Sequence, residues 1–440
     1  MMDALSGAWD YASRVTNSLL YGEDDLEVVD PNSKEADHEK LEDANAEDKR
    51  TTEFKDYRNY IGTDITSLVA LPLFIMEPYT MLQKVAEIME YTELLDKAAE
   101  TEDPHERLAW VAGFCLGPFG SNERTWKPFN PILGETFELD GKNGVRFLAE
   151  QVSHHPPVSA GHAENSHWVY DIVSAPTTRF LGNSVEIFPV GRSRIKLRKT
   201  GEEFSLVPPN SKAHNVIMGR TWVDCYGNFT LLNVTTGARV QLYFTPCGWF
   251  SSGRYEVSGH VISAEGKKVL ALDGAWNSHL DMARCDEEGD PLPDAHTTRL
   301  WNCEPKPAGD KYGFTHFAIE SNNGKGLKPL PSDSRRRADR KALQDGETGV
   351  AATEKVKVEE AQRQEKKERQ RRGEEWQPRW FRPASDATVH PGEATPEQCP
   401  MFDFTGSYLT SHPLSSAPPS DDCAGKGFFP WQYAELHKQQ

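Results

Sequence analysis

The chain reads as an α+β protein built on a large antiparallel β-sheet, most economically closed into an incomplete barrel with flanking helices. Three observations predict this. From about Phe137 to Phe317, segments such as Arg194-Ile195-Lys196-Leu197-Arg198 and Val240-Gln241-Leu242-Tyr243-Phe244 alternate polar and apolar residues, the period of a half-buried strand. Gly, Asn, Asp and Pro recur between them, as in Tyr226-Gly227-Asn228 and Thr235-Thr236-Gly237, and mark tight reversals. Residues 335 to 372 then change to a run dense in Arg, Lys, Glu and Gln, the texture of an exposed helix. No internal repeat of about 20–50 residues is present, which disfavours a propeller.

Before the sheet, Leu5, Ala8, Trp9, Ala12, Val15 and Leu19 fall at helical spacing. They suit a helix touching a membrane surface and a short helix packed on the domain equally well. Residues 23 to 48 are rich in Asp and Glu and read as solvated, so residues 1–51 form an acidic leader. Order is expected from Thr52, where Phe54, Tyr57, Ile61, Ile65 and Leu68 give an apolar stripe. Pro78 and Thr80 punctuate the start of a helix with Leu82, Val85 and Met89 inside, and a second helix follows Pro104, over His105 to Cys115. Residues 383–440, rich in Pro, Ser and Asp, read as a flexible tail whose aromatic end (Phe428, Phe429, Trp431, Tyr433) has no evident partner.

Composition narrows the function. A net charge of −18 argues against a general nucleic-acid binder, while a hydrophobic fraction of 37% can build a sizeable core. The longest apolar run, Leu68 to Met76, is broken by Pro72 and is too short to span a bilayer. The N-terminus, Met1-Met2-Asp3-Ala4-Leu5, lacks the basic and apolar regions of a secretory signal. Seven scattered cysteines without a C-x-x-C pair read as reduced thiols in the cytosol. The sequons at Asn228 and Asn233 are accordingly expected to stay unmodified.

Three segments can be read as one anion site. In Glu150-Gln151-Val152-Ser153-His154-His155-Pro156-Pro157, two prolines restrict the backbone beside two imidazoles. Each imidazole can donate a hydrogen bond and gains charge beside a phosphate. Without its flanks the pair would more often be two histidines satisfied in a turn. A metal-dependent hydrolase using His154, His155, His162 and His167 is the competing reading, but no acidic or cysteine ligand stands at zinc spacing. In Trp126-Lys127-Pro128-Phe129-Asn130-Pro131-Ile132-Leu133-Gly134-Glu135, Lys127 offers a point charge, Asn130 an amide, and Gly134 close backbone approach. Lys355, Glu359 and Arg363, at i, i+4 and i+8, line one helical face, where Glu359 can orient both cations; the bland alternative is an ordinary solvated face. No nucleophile elbow, P-loop or dinucleotide fingerprint accompanies them.

The octet, the K-P-x-N-P-x-L-G-E segment at 127–135, Leu330-Pro331-Ser332-Asp333-Ser334-Arg335 and the helix Lys355–Arg363 together resemble the oxysterol-binding-protein-related family of lipid-transfer proteins. Two positions depart from its pattern: Val358 stands in place of Leu, and Ala338 where Pro is usual. The resemblance covers residues 52–382 and is nearest the short plant-type members. It implies an incomplete antiparallel β-barrel around an apolar tunnel, closed by an N-terminal lid (about residues 52–70) formed by Phe54, Tyr57, Ile61, Ile65 and Leu68. It also implies that Lys127, Asn130, His154, His155, Lys355, Glu359 and Arg363 hold the headgroup of phosphatidylinositol 4-phosphate, with a sterol taking the same tunnel. No enzyme activity, cofactor or metal is then expected. The family reading is a cytosolic exchanger, transiently membrane-bound at the endoplasmic reticulum or contact sites; a phosphatidylserine exchanger or a non-transporting lipid sensor is the alternative. Glu53-Phe54-Lys55-Asp56-Tyr57, after an acidic run, resembles the motif that docks on VAP-type endoplasmic-reticulum receptors, without its second aromatic.

Overall fold

The structure, a computed structural model, describes residues 61–62, 73–324, 329–385, 388–411 and 427–431. After a 3-10 turn at Leu73–Ile75, strand β1 (Met76–Thr80) leads directly into helix α1 (Met81–Ala86). Thr80 caps that helix: its hydroxyl accepts from Gln83 N–H while the Gln83 side chain returns to Thr80 N–H, a reciprocal capping box. The helix then tightens into a 3-10 segment, Glu87–Tyr91, so Met89 lies just past the α-helix expected to carry it. Helix α2 (Glu93–Glu100) and helix α3 (Pro104–Leu116) follow, the latter with Asp103 as N-cap and Pro104 at its first position. From Arg107 to Leu116 helix α3 is buried at every residue except Trp110, so it cannot lie on a surface. Its Phe114 meets Tyr170 edge to face, with ring centroids 5.9 Å apart.

Strand β2 (Lys127–Phe129) pairs in parallel with β1. The sheet then builds from β3 (Thr136–Asp140), β4 (Arg146–His154), β5 (Pro157–Glu164), β6 (Trp168–Ser174), β7 (Thr177–Phe180), β8 (Ser184–Phe188), β9 (Gly191–Leu197) and β10 (Glu203–Val207). It continues through β11 (Asn210–His214), β12 (Trp222–Asn233), β13 (Arg239–Phe244), β14 (Glu256–Ile262), β15 (Lys268–Ala275), β16 (His279–Arg284) and β17 (Thr298–Asn302). The main path runs β17-β16-β15-β14-β13-β12-β10-β9-β6-β5-β4-β3, with β7, β8 and β11 beside it, 15 strands among the described residues. Its two ends do not pair, so the barrel is incomplete, as expected. The alternation read from Val240-Gln241-Leu242-Tyr243-Phe244 is the observed one: Val240, Leu242 and Phe244 are buried and Gln241 and Tyr243 exposed. One apolar core joins helix α3 to both halves of the curled sheet, from Phe137 to Trp301.

Helix α4 (His316–Asn323) follows the sheet. The charged run after it forms two helices, α5 (Ala338–Gln344) and α6 (Thr348–Arg372), broken at Gly346, whose φ of +82° no helix interior tolerates. Among the described residues no helix is long and apolar enough to cross a membrane.

The expected flexible tail from residue 383 is corrected by the structure. Strand β18 (Phe381–Pro383) pairs with β19 (Phe402–Phe404), and helix α7 (Ser407–Ser411) follows. Trp380, Phe381, Cys399 and Tyr408 are buried against Leu148, Val152, Val158, Ala160 and Val173, on the sheet face away from helix α3. The polar composition concealed a sparse set of apolar anchors, which suffices because they share one cluster on a preformed sheet. Residues 412–426 and 432–440 lie outside the described residues.

Candidate functional site

The loop after β2 is laid along β4. Gly134 N–H donates to Gln151 O at 2.9 Å and Gln151 N–H returns to Glu135 O at 2.8 Å, three residues before His154. Gly134 has φ +77°, and a Cβ there would stand 2.7 Å from the Trp376 ring, so its expected close approach is a structural necessity. Within the loop, Lys127 Nζ donates to Asn130 Oδ1 at 2.5 Å.

One residue essential to this loop escaped sequence reading. Arg337 donates to the Asn130 carbonyl at 2.8 Å, to Glu135 at 2.9 Å and to Asp339 at 2.6 Å, and lies over the Phe129 ring. Burial opposes its charge, but Asp339 and Glu135 outweigh that and raise its pKa. Arg335 is likewise buried, held by Asp333 at 2.8 Å, and Asp333 also accepts from Glu138 N–H on β3 at 3.1 Å. The Leu330–Arg335 segment thus bolts the chain before helix α5 to the free edge of β3, where Asp333 forms a parallel bridge with Thr136. A cluster of arginines reads as solvated from sequence, because the acceptors that bury it lie about 200 residues away.

His154 and His155 occupy the β4–β5 turn. Their rings stand edge to face at 4.6 Å, with His155 exposed and His154 partly so, and the His155–Pro156 bond is cis. A register shift between Gln151 and Ser153 inserts one residue in β4 just before them, a bulge that turns the end of the strand. The octet's other polar residues do structural work. Glu150 is buried and accepts from Arg379 N–H and Trp380 N–H at 2.8 and 2.9 Å, and burial pushes its pKa up to about 7. Gln151 bridges Ser159 and the Ser153 carbonyl.

Helix α6 closes the arrangement. Leu133 N–H donates to Gln362 Oε1 at 3.3 Å, which docks the helix on the loop. Lys355 pairs with Glu359, and Arg363 donates to Glu360 at 3.0 Å. Arg363 Nε meets Glu360 because i, i+3 neighbours are as close on a helix as i, i+4 neighbours. Lys127 is not cut off from solvent, yet dense surroundings and the Lys355 ammonium press its pKa down to about 8, partly countered by Glu359. Hydrogen bonds therefore tie the loop to β4 three residues before His154, and helix α6 to the loop.

Of the lid residues, Phe54, Tyr57, Ile65 and Leu68 lie outside the described residues. Ile61 is 49% exposed, and neighbouring Gly62 N–H donates to Phe180 O in β7 at 2.8 Å. The leader with its candidate helix and the VAP-like segment also lie outside them. The four histidines of the hydrolase reading do not converge. His162 stands five residues along β5 from Pro157, about 16 Å away, and its Nδ1 lies 2.7 Å from Asp171 Oδ1. Among the described residues no group of three His, Cys, Asp or Glu could hold a metal ion.

A family model described as oxysterol-binding protein matches residues 54–412. The match runs past 382, where the sequence reading ends the domain, and takes in the folded strap. Oxysterol-binding protein-related protein 3C of Arabidopsis thaliana is 44% identical over 98% of this chain and 96% of its own length. The solved structure of the Osh1 ORD domain in complex with ergosterol is similar with a TM-score of 0.71 and 29% identity, covering 93% of this chain and 98% of that one. The Osh3 ORD in complex with PI(4)P from Saccharomyces cerevisiae gives 0.62 at 29% identity, over 74% and 87%.

Proposed function

The chain belongs to the oxysterol-binding protein family, and from that premise we propose that it is a lipid-transfer protein. It takes a sterol or phosphatidylinositol 4-phosphate into an apolar tunnel within the curled sheet and exchanges one for the other between membranes. Two similar solved structures, holding ergosterol and PI(4)P, support the choice of ligands.

The observation that carries the reading is the crowding of Lys127 against Lys355, where helix α6 docks on the loop. Cations placed so that one depresses the pKa of another favour an anion between them. A phosphomonoester can accept charge-assisted hydrogen bonds from Lys127, Lys355, Arg363 and both histidines. Asn130 and Glu359 hold Lys127 and Lys355 in place. Tails gain about 0.8 kcal/mol per buried CH₂, so the tunnel supplies affinity and the mouth supplies choice. No covalent step is needed. The protein then works as a peripheral, transient visitor to membranes, with the lid stripe closing the tunnel.

Transfer between liposomes tests this. A fluorescent sterol in donor vesicles should reach acceptors faster when the acceptors carry phosphatidylinositol 4-phosphate. His154→Ala with His155→Ala should abolish extraction of the phosphoinositide and spare sterol binding. Loss of both ligands would assign the histidines to the fold, and binding of both lipids without transfer would make the protein a sensor.

A further inference from the structure

Trp249 and Phe250, at the β13–β14 turn, are 89% and 103% exposed, the two most exposed of the large apolar side chains among the described residues. Their projection is built, not slack. Phe250 and Ser251 adopt φ of +58° and +62°, a backbone region unfavourable to residues with a Cβ. The loop is braced below by Gly248 N–H to Ser252 O (2.9 Å), Ser252 N–H to Trp249 O (3.2 Å) and Cys247 N–H to Asp224 Oδ2 (2.9 Å). At its base the Arg254 guanidinium lies over the Trp222 and Tyr255 rings, at 4.8 and 4.6 Å. A second apolar tip stands on the β11–β12 connection, where Met218 is 65% exposed.

Topology places these tips relative to the histidine turn. Every pairing along β4-β5-β6-β9-β10-β12-β13-β14 is antiparallel, so successive connections alternate between the two ends of the sheet. The β4–β5 turn with His154 and His155, the β6–β9 connection, the β10–β12 connection with Met218, and the β13–β14 turn with Trp249 and Phe250 therefore share one rim. Phe180, whose carbonyl receives Gly62 N–H, belongs to the same rim.

We propose that Trp249 and Phe250, assisted by Met218, form a wedge that inserts into a phospholipid bilayer and sets the histidine rim against it. A bilayer fits better than a protein. The tip is convex and two residues wide, far below the roughly 800 Å² per partner of a stable protein interface. Tryptophan favours the water–lipid boundary, where its ring is buried and its N–H stays wet. The net charge of −18 works against general electrostatic adhesion to anionic lipid, which leaves apolar insertion to supply the hold. Only the orientation of the docked protein rests on the function proposed above; insertion does not.

Flotation of the full chain with phosphatidylcholine vesicles free of sterol and phosphoinositide tests the wedge separately from cargo. Trp249→Ser with Phe250→Ser should weaken vesicle binding by at least about tenfold, with an unchanged melting temperature. Bromine-labelled acyl chains should quench more fluorescence in the wild type than in Trp249→Phe. Equal flotation of wild type and double variant, or equal quenching, overturns the proposal. So does wild-type self-association abolished by the double variant, which would make the tip an interface between copies.

Discussion

The Arg337 guanidinium donates at 2.8 Å to the backbone carbonyl of Asn130, so a residue just before helix α5 sets the position of a loop more than 200 residues upstream. The same side chain holds Glu135, at the far end of that loop. Arg337→Ala would leave buried carboxylates at Glu135 and Asp339 without their cation, a loss of about 3–5 kcal/mol for a buried pair. Calorimetry should register a large drop in melting temperature. Arg337→Lys keeps the charge but cannot span three acceptors with one planar fork. It should remain folded and bind phosphoinositide several-fold more weakly while sterol binding holds. Equal losses for both ligands would contradict a positioning role.

Lys127 predicts a pH dependence of headgroup binding. Its folded pKa of about 8 means that the unliganded site is mostly protonated below that pH and progressively neutral above it. A bound phosphate favours the ammonium and raises the pKa, so binding above pH 8 must take up a proton. Affinity for phosphatidylinositol 4-phosphate should be nearly flat between about pH 7 and 7.5 and should fall above about 8, by up to tenfold per pH unit. Sterol affinity should not follow. Titrations in buffers of different ionisation heat would detect the proton directly, and the absence of uptake at pH 9 would refute the assignment.

Lys355 and Arg363 can be removed one at a time. Each lost charge-assisted bond to a phosphate is worth about 1.5–3 kcal/mol, which corresponds to roughly a ten- to a hundredfold weaker headgroup affinity. Lys355→Ala carries a second consequence, because Lys355 is the leading charge that lowers Lys127. In that variant the break in the pH profile should move upward. Binding within about twofold of wild type for both variants would return helix α6 to an ordinary solvated face.

What the sequence disclosed was local or periodic. The Lys127–Glu135 loop and the His154–His155 turn are contiguous, and the strand alternation at Val240–Phe244 repeats every second residue. Long-range polar pairing was not legible. Arg335, Arg337 and Arg340 sit in a charge-rich run that looks solvated until the free edge of β3 and the loop carbonyls are in place around it. Nor was the strap legible, since Phe402, Phe404 and Tyr408 gain their meaning only from the sheet face they cover. The site's outline therefore came from short motifs, and its rigidity from contacts that no spacing rule announces.

His162 links that strap to the sheet and should make its attachment sensitive to pH. Its ring is stacked on Phe404 of β19, with centroids 4.0 Å apart, and its Nδ1 contacts Asp171 at 2.7 Å. Arg192 reaches Asp403 at 3.2 Å beside it, and the same groups, with Arg194 and Phe402, line a cleft of about 310 Å³. Burial opposes charge on His162, but the hydrogen bond to Asp171 and the Glu164 carboxylate 3.6 Å from Nε2 outweigh it, so its folded pKa is raised. Glu164 is lowered, chiefly by the His162 ring 3.6 Å away. A raised histidine contributes stability that is fully present below its unfolded value of about 6.5 and is lost as pH rises through the folded value. A lowered glutamate contributes stability that is present above about 4.5 and is lost as pH falls through its folded value. The pair is therefore worth most between about pH 5 and 6. Glu138 and Glu150, both pushed up to about 7, also make stability fall as pH rises, so the wild-type slope alone does not isolate His162. The difference from His162→Gln does, because glutamine does not titrate. Wild type should exceed the variant in melting temperature near pH 5.5, and the gap should narrow by pH 8. Protease cleavage between residues 383 and 411 should rise over the same range in wild type only. A gap independent of pH would mean that His162 serves the strap by packing on Phe404 and not by its charge.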